Sequence, residues 1–202
     1  MKTVGALLFP GFELLDLFGP MEMFGLLPKC YDLHLVAEEP GPVVSTQSLE
    51  AVATYSIKDR KDFDILLIPG GAGVREQQFN QPLLDWIKSA AQNAEHVLSV
   101  CSGSVMLARA GLLVGRKATS NKMSWAWVKE QAPDINWVAS ARWVEDGKFF
   151  TSSGVSAGMD MTLAAIAKMH GEDIARKVAI MAEYEWHEDA DRDPFAKLHG
   201  LV

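Results

Sequence analysis

The chain has 202 residues, of which 49% are hydrophobic and 22% charged, an ordinary globular composition able to bury a single core. Its formal net charge of −7 argues against nucleic acid and anionic membrane as partners, because both are bound through faces rich in Lys and Arg. Two distant cysteines (Cys30 and Cys101) and five histidines without HxxH or CxxC spacing argue against a disulfide framework and a metal site. They predict free thiols in a reducing cytoplasm and no cofactor.

The first apolar run, Val4–Phe9, is shorter than the roughly 7–15 apolar residues of a signal peptide, so it is read as a core strand. It meets Pro10-Gly11, and acidic Glu13 and Asp16 follow. Leu14–Leu26 has helical spacing. Leu33–Ala37 reads as a strand, and Val43–Val44 with Leu49–Tyr55 as a small side hairpin. Ile65–Ile68 and Val97–Val100 are short Val/Ile/Leu runs like the first, as in parallel strands buried on both faces. Pro82–Ala94 is helical, opening with Pro in its first turn. Gly103–Ala110 is a helix running straight out of the third apolar strand. Trp137–Val138, Arg142–Glu145 and Phe149–Thr151 are short strands, the last two joined at Asp146-Gly147. Ser156–His170 and Asp173–Glu185 are helices.

Strands alternating with helices predict an α/β fold, doubly wound with a mostly parallel central sheet. One domain over residues 1–202 is expected, with a polar tail from about 186 to 202 wrapping the surface as loop and short helix. No run approaches the about 18 apolar residues of a membrane-spanning helix. No internal repeat, linker or DNA-reading module is expected.

The strongest chemical signal is Val97-Leu98-Ser99-Val100-Cys101-Ser102-Gly103-Ser104. A buried strand ends at a small residue, turns at Cys101 and enters a helix, which is the build of a nucleophile elbow. Ser99 stands where the first glycine of such an elbow usually sits, and Gly103 fills the second. The turn presents Cys101 at the carboxyl ends of the strands, where open α/β sheets bind ligands. The positive end of the following helix is expected to lower the thiol pKa and raise the thiolate fraction. Cys30, in the loop Pro28-Lys29-Cys30-Tyr31, reads as inert.

Two further segments join Cys101. Ile68-Pro69-Gly70-Gly71-Ala72-Gly73 is a glycine-rich loop after a strand, and its backbone N–H groups can hold an anion. It lacks the Lys of a phosphate loop. With the Ser102 amide, Gly71 forms a candidate oxyanion hole, with Gly70 beside it, and Ser102 Oγ can hydrogen-bond an adduct. Asp16 lies in an apolar stretch at a helix start. It either caps that helix or points into the cleft, where burial would raise its pKa and suit it to acid/base work near neutrality. Glu13 is the rival carboxylate. Trp125, Trp127 and Trp143 fit a cleft lining, although core or subunit surface is the commoner fate of such residues.

Phe9-Pro10-Gly11, Leu15-Asp16, Gly19-Pro20, Ile68-Pro69-Gly70-Gly71, Val100-Cys101-Ser102-Gly103-Ser104, Leu107-Ala108, Ala110-Gly111-Leu112-Leu113 and Gly154 with Ala157-Gly158-Met159-Asp160 together resemble the ThiJ/PfpI superfamily. The resemblance runs to about Tyr184. It implies a flavodoxin-like sandwich related to class I glutamine amidotransferase domains, a homodimer, a nucleophile at Cys101 and a carboxylate partner at Asp16. The Asp within Leu-Asp-Leu-Phe-Gly-Pro resembles the isocyanide hydratase branch, which implies thiolate attack on an isocyanide carbon and release of an N-substituted formamide. Many members carry a His after Ala-Thr; here Asn121 occupies that place. Asn cannot shuttle a proton, which weakens protease, amidase and glyoxalase readings. The leading expectation is a hydratase or hydrolase acting on a small molecule through Cys101 and Asp16, with isocyanide hydration as its sharpest form. The rivals are a cysteine redox sensor and a glyoxalase or deglycase.

Overall fold

The computed structural model describes residues 1–59 and 62–202. In chain order the elements are β1 (Lys2–Leu7), α1 (Leu14–Gly25), β2 (Tyr31–Ala37), β3 (Gly41–Val44), β4 (Glu50–Ala53), β5 (Tyr55–Ser56) and β6 (Ile65–Ile68). There follow α2 (Val74–Gln77), α3 (Gln81–Asn93), β7 (His96–Ser99), α4 (Gly103–Arg109), β8 (Lys117–Ala118), α5 (Trp125–Gln131) and β9 (Asn136–Trp137). Last come β10 (Trp143–Asp146), β11 (Phe149–Ser152), α6 (Ala157–His170), α7 (Glu172–Met181) and α8 (Pro194–Leu198).

Seven strands form the central sheet in the order β10-β11-β7-β6-β1-β2-β5. Every pairing in it is parallel except β10 with β11, which form an antiparallel hairpin turning at Gly147, with φ 65°. The central register is Val4 opposite Ile65, and Ile65 opposite His96. All four side chains of β6 are inaccessible. A strand apolar on both faces needs cover on both sides, and two groups of packed helices supply it, α1 with α6 and α7, and α2 with α3 and α4. Each fully buried Ile or Leu of β6 contributes roughly 1.5–3 kcal/mol.

Chain order reverses between β1 and β6, since β2 lies outside β1 on one side and β7 outside β6 on the other. At such a switch point the loops leaving the carboxyl ends diverge and open a crevice. Here backbone hydrogen bonds tie the loops together. Glu13 N donates to Gly70 O at 2.9 Å and Gly73 N to Gly11 O at 3.0 Å. Gly73 has no room for a side chain, because a Cβ would stand 1.9 Å from Pro10 O.

Several predicted elements end differently in the structure. β1 and β7 each stop before the predicted end, so that Leu8–Phe9 and Val100 lie just beyond the strands, although Leu8 N still donates to Val36 O at 2.7 Å and Val100 N to Ile68 O at 3.1 Å. The segment Leu49–Tyr55 divides: β4 pairs with β3 in the side hairpin, while β5 joins the main sheet beside β2. The tail does carry a short helix, but it is not merely a surface wrap. Asp193 is buried, caps α8 by accepting from Phe195 N at 3.0 Å, and lies 3.8 Å from Lys122 Nζ and 3.9 Å from Arg142 Nη1. Trp186 Nε1 and His187 N donate to Asp160, which also receives Arg142 Nε at 2.7 Å. Charge in the tail is paired with buried charge in the domain, which composition does not reveal. Among the described residues no helix is long and apolar enough to cross a membrane.

Candidate active site

Cys101 sits between β7 and α4 with φ 57°, in the left-handed region that non-glycine residues seldom occupy. Such a backbone costs on the order of 1–3 kcal/mol and persists only where its surroundings hold it. They do so here. Cys101 N donates to Ser153 O at 3.1 Å, and Cys101 O accepts from Ser104 Oγ at 3.0 Å and Ser120 Oγ at 2.8 Å. The small flanking residues have a steric cause. A Cβ on Gly103 would stand 2.3 Å from Ile68 O, and Ser99 is fully buried under the turn.

Asp16, on the first turn of α1, is inaccessible to solvent. Its Oδ2 accepts from Gly70 N at 2.9 Å, and its Oδ1 has no hydrogen-bond partner among the described residues. Pro20, four residues on, has no N–H to give to the Asp16 carbonyl, so the helix ladder is interrupted at this residue. Gly70 is where the three loops converge. A Cβ there would lie 2.7 Å from both Ser102 N and Ser102 Oγ, and 2.8 Å from Asp16 Oδ2.

The electrostatics of the pair differ from the sequence expectation. Burial raises Asp16 to about 7; the Gly70 N–H opposes this, the Glu13 charge adds to it, and the interaction with Cys101 offsets a little. Burial also pushes the Cys101 thiol up, and the Asp16 charge pushes it further. The N–H and hydroxyl of Ser102 and the Asn121 amide act in the other direction and do not prevail. Helix α4 has only seven residues, and its end does not overcome desolvation. The predicted lowering of the thiol pKa is therefore corrected. Two buried acids now lie side by side: near neutrality burial keeps the Cys101 thiol protonated, while Asp16, raised to about 7, is divided between its two forms.

The glycine loop also differs in detail. The Gly70 amide is committed to Asp16. Gly71, at φ 127°, gives its N–H to Ser102 Oγ at 3.2 Å, while the Ser102 N–H serves the Cys101 sulfur. Gly70 is thus an anchor for the carboxyl and not an oxyanion donor. Asn121 stands against the thiol, its Oδ1 accepting from Ser124 N at 2.8 Å. That bond fixes the amide so that Nδ2 is the end available as donor. Gly154 leaves space for it, since a Cβ there would meet Asn121 Nδ2 at 2.6 Å.

Above Cys101 lies a cavity of about 310 Å³ whose walls include Glu13, Arg75, Met123, Trp127 and Val155. Trp127 lines it, whereas Trp125 and Trp143 are core residues. Sequence reasoning missed Arg75, Met123 and Val155. Val155, with φ 46°, is a β-branched residue in the left-handed region beside the site. The Ser153-Gly154-Val155-Ser156 turn from β11 into α6, small residues around a strand-to-helix junction, was a legible signal for it. Arg75 offered none.

A parallel sheet whose switch point joins an elbow cysteine to a buried carboxyl defines a class of α/β protein. The chain belongs to the DJ-1/PfpI family, whose model matches residues 2–168. It is 37% identical over 182 residues to the isonitrile hydratase of Pseudomonas putida, covering 90% of this chain and 78% of that one. It is 27% identical to the HTH-type transcriptional regulator CdhR of Pseudomonas aeruginosa, of which it spans 60%. The crystal structure of a ThiJ/PfpI family protein from Pseudomonas syringae superposes with a TM-score of 0.84 at 32% identity, covering 92% of this chain and 76% of that one. The flavodoxin-like sandwich expected from the sequence is the fold observed.

Proposed function

We propose that the protein is a cysteine-dependent hydratase that converts a small isocyanide to an N-substituted formamide, without a cofactor. The observation that carries this is the Cys101–Asp16 pair, a buried thiol beside a buried carboxyl raised to about 7 and so able to take up its proton near neutrality, in a cavity that no histidine among the described residues lines. Similarity to an isonitrile hydratase supports the same reading. As the Cys101 sulfur bonds to the isocyanide carbon, the thiol proton passes to Asp16. Asp16 returns it to that carbon, giving the thioimidate R–N=CH–S–Cys. Water then adds, its hydroxyl to carbon and its proton to nitrogen. The C–S bond breaks as the hydroxyl proton goes back to sulfur, releasing R–NH–CHO. The sum is R–NC + H2O → R–NH–CHO.

The other residues have supporting parts in this scheme. The Gly70 N–H holds Asp16 in place, and the Ser102 N–H and Asn121 Nδ2 steady the sulfur. The Gly71–Ser102 hydroxyl contact braces the loop. Purified protein incubated with phenyl isocyanide should yield formanilide, while Cys101→Ala and Asp16→Asn should match buffer. Equal rates for wild type and buffer would sink the reading. Glyoxalase-type chemistry lacks its proton relay at Asn121.

The working unit in this reading is a homodimer. Leu15 and Phe18 remain 40% and 45% exposed on α1, close in sequence to Asp16, as suits a surface for a second copy. Light scattering that gives a monomer mass at micromolar concentration would reject this part.

A further inference from the structure

We propose that Arg75 makes this site selective for substrates bearing a carboxylate on the organic substituent; the inference rests on the hydratase reading for the identity of the reacting end. Arg75 lines the same cavity as Cys101. Its guanidinium lies over the Trp127 ring, 4.5 Å from the centroid. Stacking of this kind fixes the planar group and leaves its N–H edge free for hydrogen bonds.

No ion pair to Arg75 forms among the described residues, although the chain has 26 acidic residues against 19 Lys and Arg. By contrast, Arg116, Arg142 and Arg176 each hold a carboxylate. Glu13, the carboxylate in the wall of this cavity, does not answer Arg75 but accepts from Gln47 Nε2 in the β3–β4 turn. The cavity therefore offers a positioned cation that no carboxylate among the described residues pairs with directly, while Glu13 is held toward Gln47. A guanidinium held this way matches a carboxylate with two parallel hydrogen bonds. At about 310 Å³ the cavity is at the small end of ligand sites, suited to an isocyanide on one ring or a short chain with the acid at its far end. Met123 and Trp127 would flank the apolar middle of such a molecule.

The test uses two stable product analogues, 4-formamidobenzoate and neutral formanilide, titrated calorimetrically into wild type, Arg75→Met and Arg75→Lys. In wild type the carboxylate compound should bind about tenfold more tightly, the size of one hydrogen-bonded charge pair. In Arg75→Met the carboxylate compound should bind no more tightly than formanilide, and Arg75→Lys should keep part of the preference. Equal affinities in wild type, no binding of either compound, or a preference that survives Arg75→Met would overturn the proposal. The hydratase reading is judged separately, by formanilide formation from phenyl isocyanide with the same wild-type protein. A protein that selects the carboxylate but makes no formamide would refute that reading and leave the Arg75 assignment standing.

Discussion

The Gly70 amide donates a 2.9 Å hydrogen bond to Asp16 Oδ2, and a Cβ on Gly70 would stand 2.8 Å from that same oxygen. One residue therefore anchors the carboxyl and, by lacking a side chain, lets it approach Ser102 and the cysteine elbow. Gly70→Ala is expected to destabilise the protein by roughly 3 kcal/mol, the upper range for overpacking, and to remove formamide production. Urea unfolding and turnover measured on the same preparation check both. An alanine variant with wild-type stability and rate would show that the loops are looser than their geometry.

Asp16 connects activity to pH and to stability. Its carboxyl is raised from 3.8 to about 7, so the folded state prefers the protonated form. The unfolded chain ionises it from about 3.8 upward, so the cost to folding is absent below that pH, grows as pH rises to about 7, and is complete above it. Asp16→Asn keeps an acceptor for Gly70 and carries no charge. It should be more stable to urea than wild type at pH 8, by about 4 kcal/mol if the whole shift is recovered, and nearly equal to it at pH 4. The same variant should be inactive. Equal stability at both pH values would contradict the burial argument.

Asn121 should matter for rate more than for folding. It is partly buried, and its amide lowers the thiol pKa against the pull of burial. Asn121→Ala removes that donor, so Cys101 should react more slowly with iodoacetamide at pH 8. Turnover should fall by roughly ten- to hundredfold, as for loss of one hydrogen bond to a developing charge. Intact mass over time follows the alkylation. Asn121→Asp, which adds a negative charge beside the sulfur, should be slower still.

Asp193 ties the tail to the domain. It faces Lys122 and Arg142 in the interior, and burial lowers Lys122 to about 8 against the support of Asp193. Removing one partner of a buried pair leaves a charge without compensation. Asp193→Ala is expected to cost roughly 3–5 kcal/mol. Brief trypsin digestion should then cut the tail at Arg192 or Lys197 before the rest of the chain. A tail as resistant as wild type would show that the ion pairs do not hold it.

The sequence alone determined the sheet, the elbow and the family. Val4–Phe9, Ile65–Ile68 and Val97–Val100 announced buried parallel strands because an apolar run that short must be covered on both faces. Cys101 and Gly103 announced a tight strand-to-helix turn because only small residues fit where Ile68 O approaches. These are local steric and periodic signals, carried within a few residues. The tertiary structure decided the protonation of the pair, since the pKa of Asp16 and of Cys101 depends on how much water the neighbouring loops exclude. It decided that Gly70 serves Asp16 and not an oxyanion, because an amide's partner lies 54 positions away in the chain. It placed Arg75 over Trp127 and Asp193 beside Lys122, contacts between segments whose composition looks like ordinary surface. Charge and hydrogen bonding act over distance in space, and distance in space is what the chain order does not encode locally.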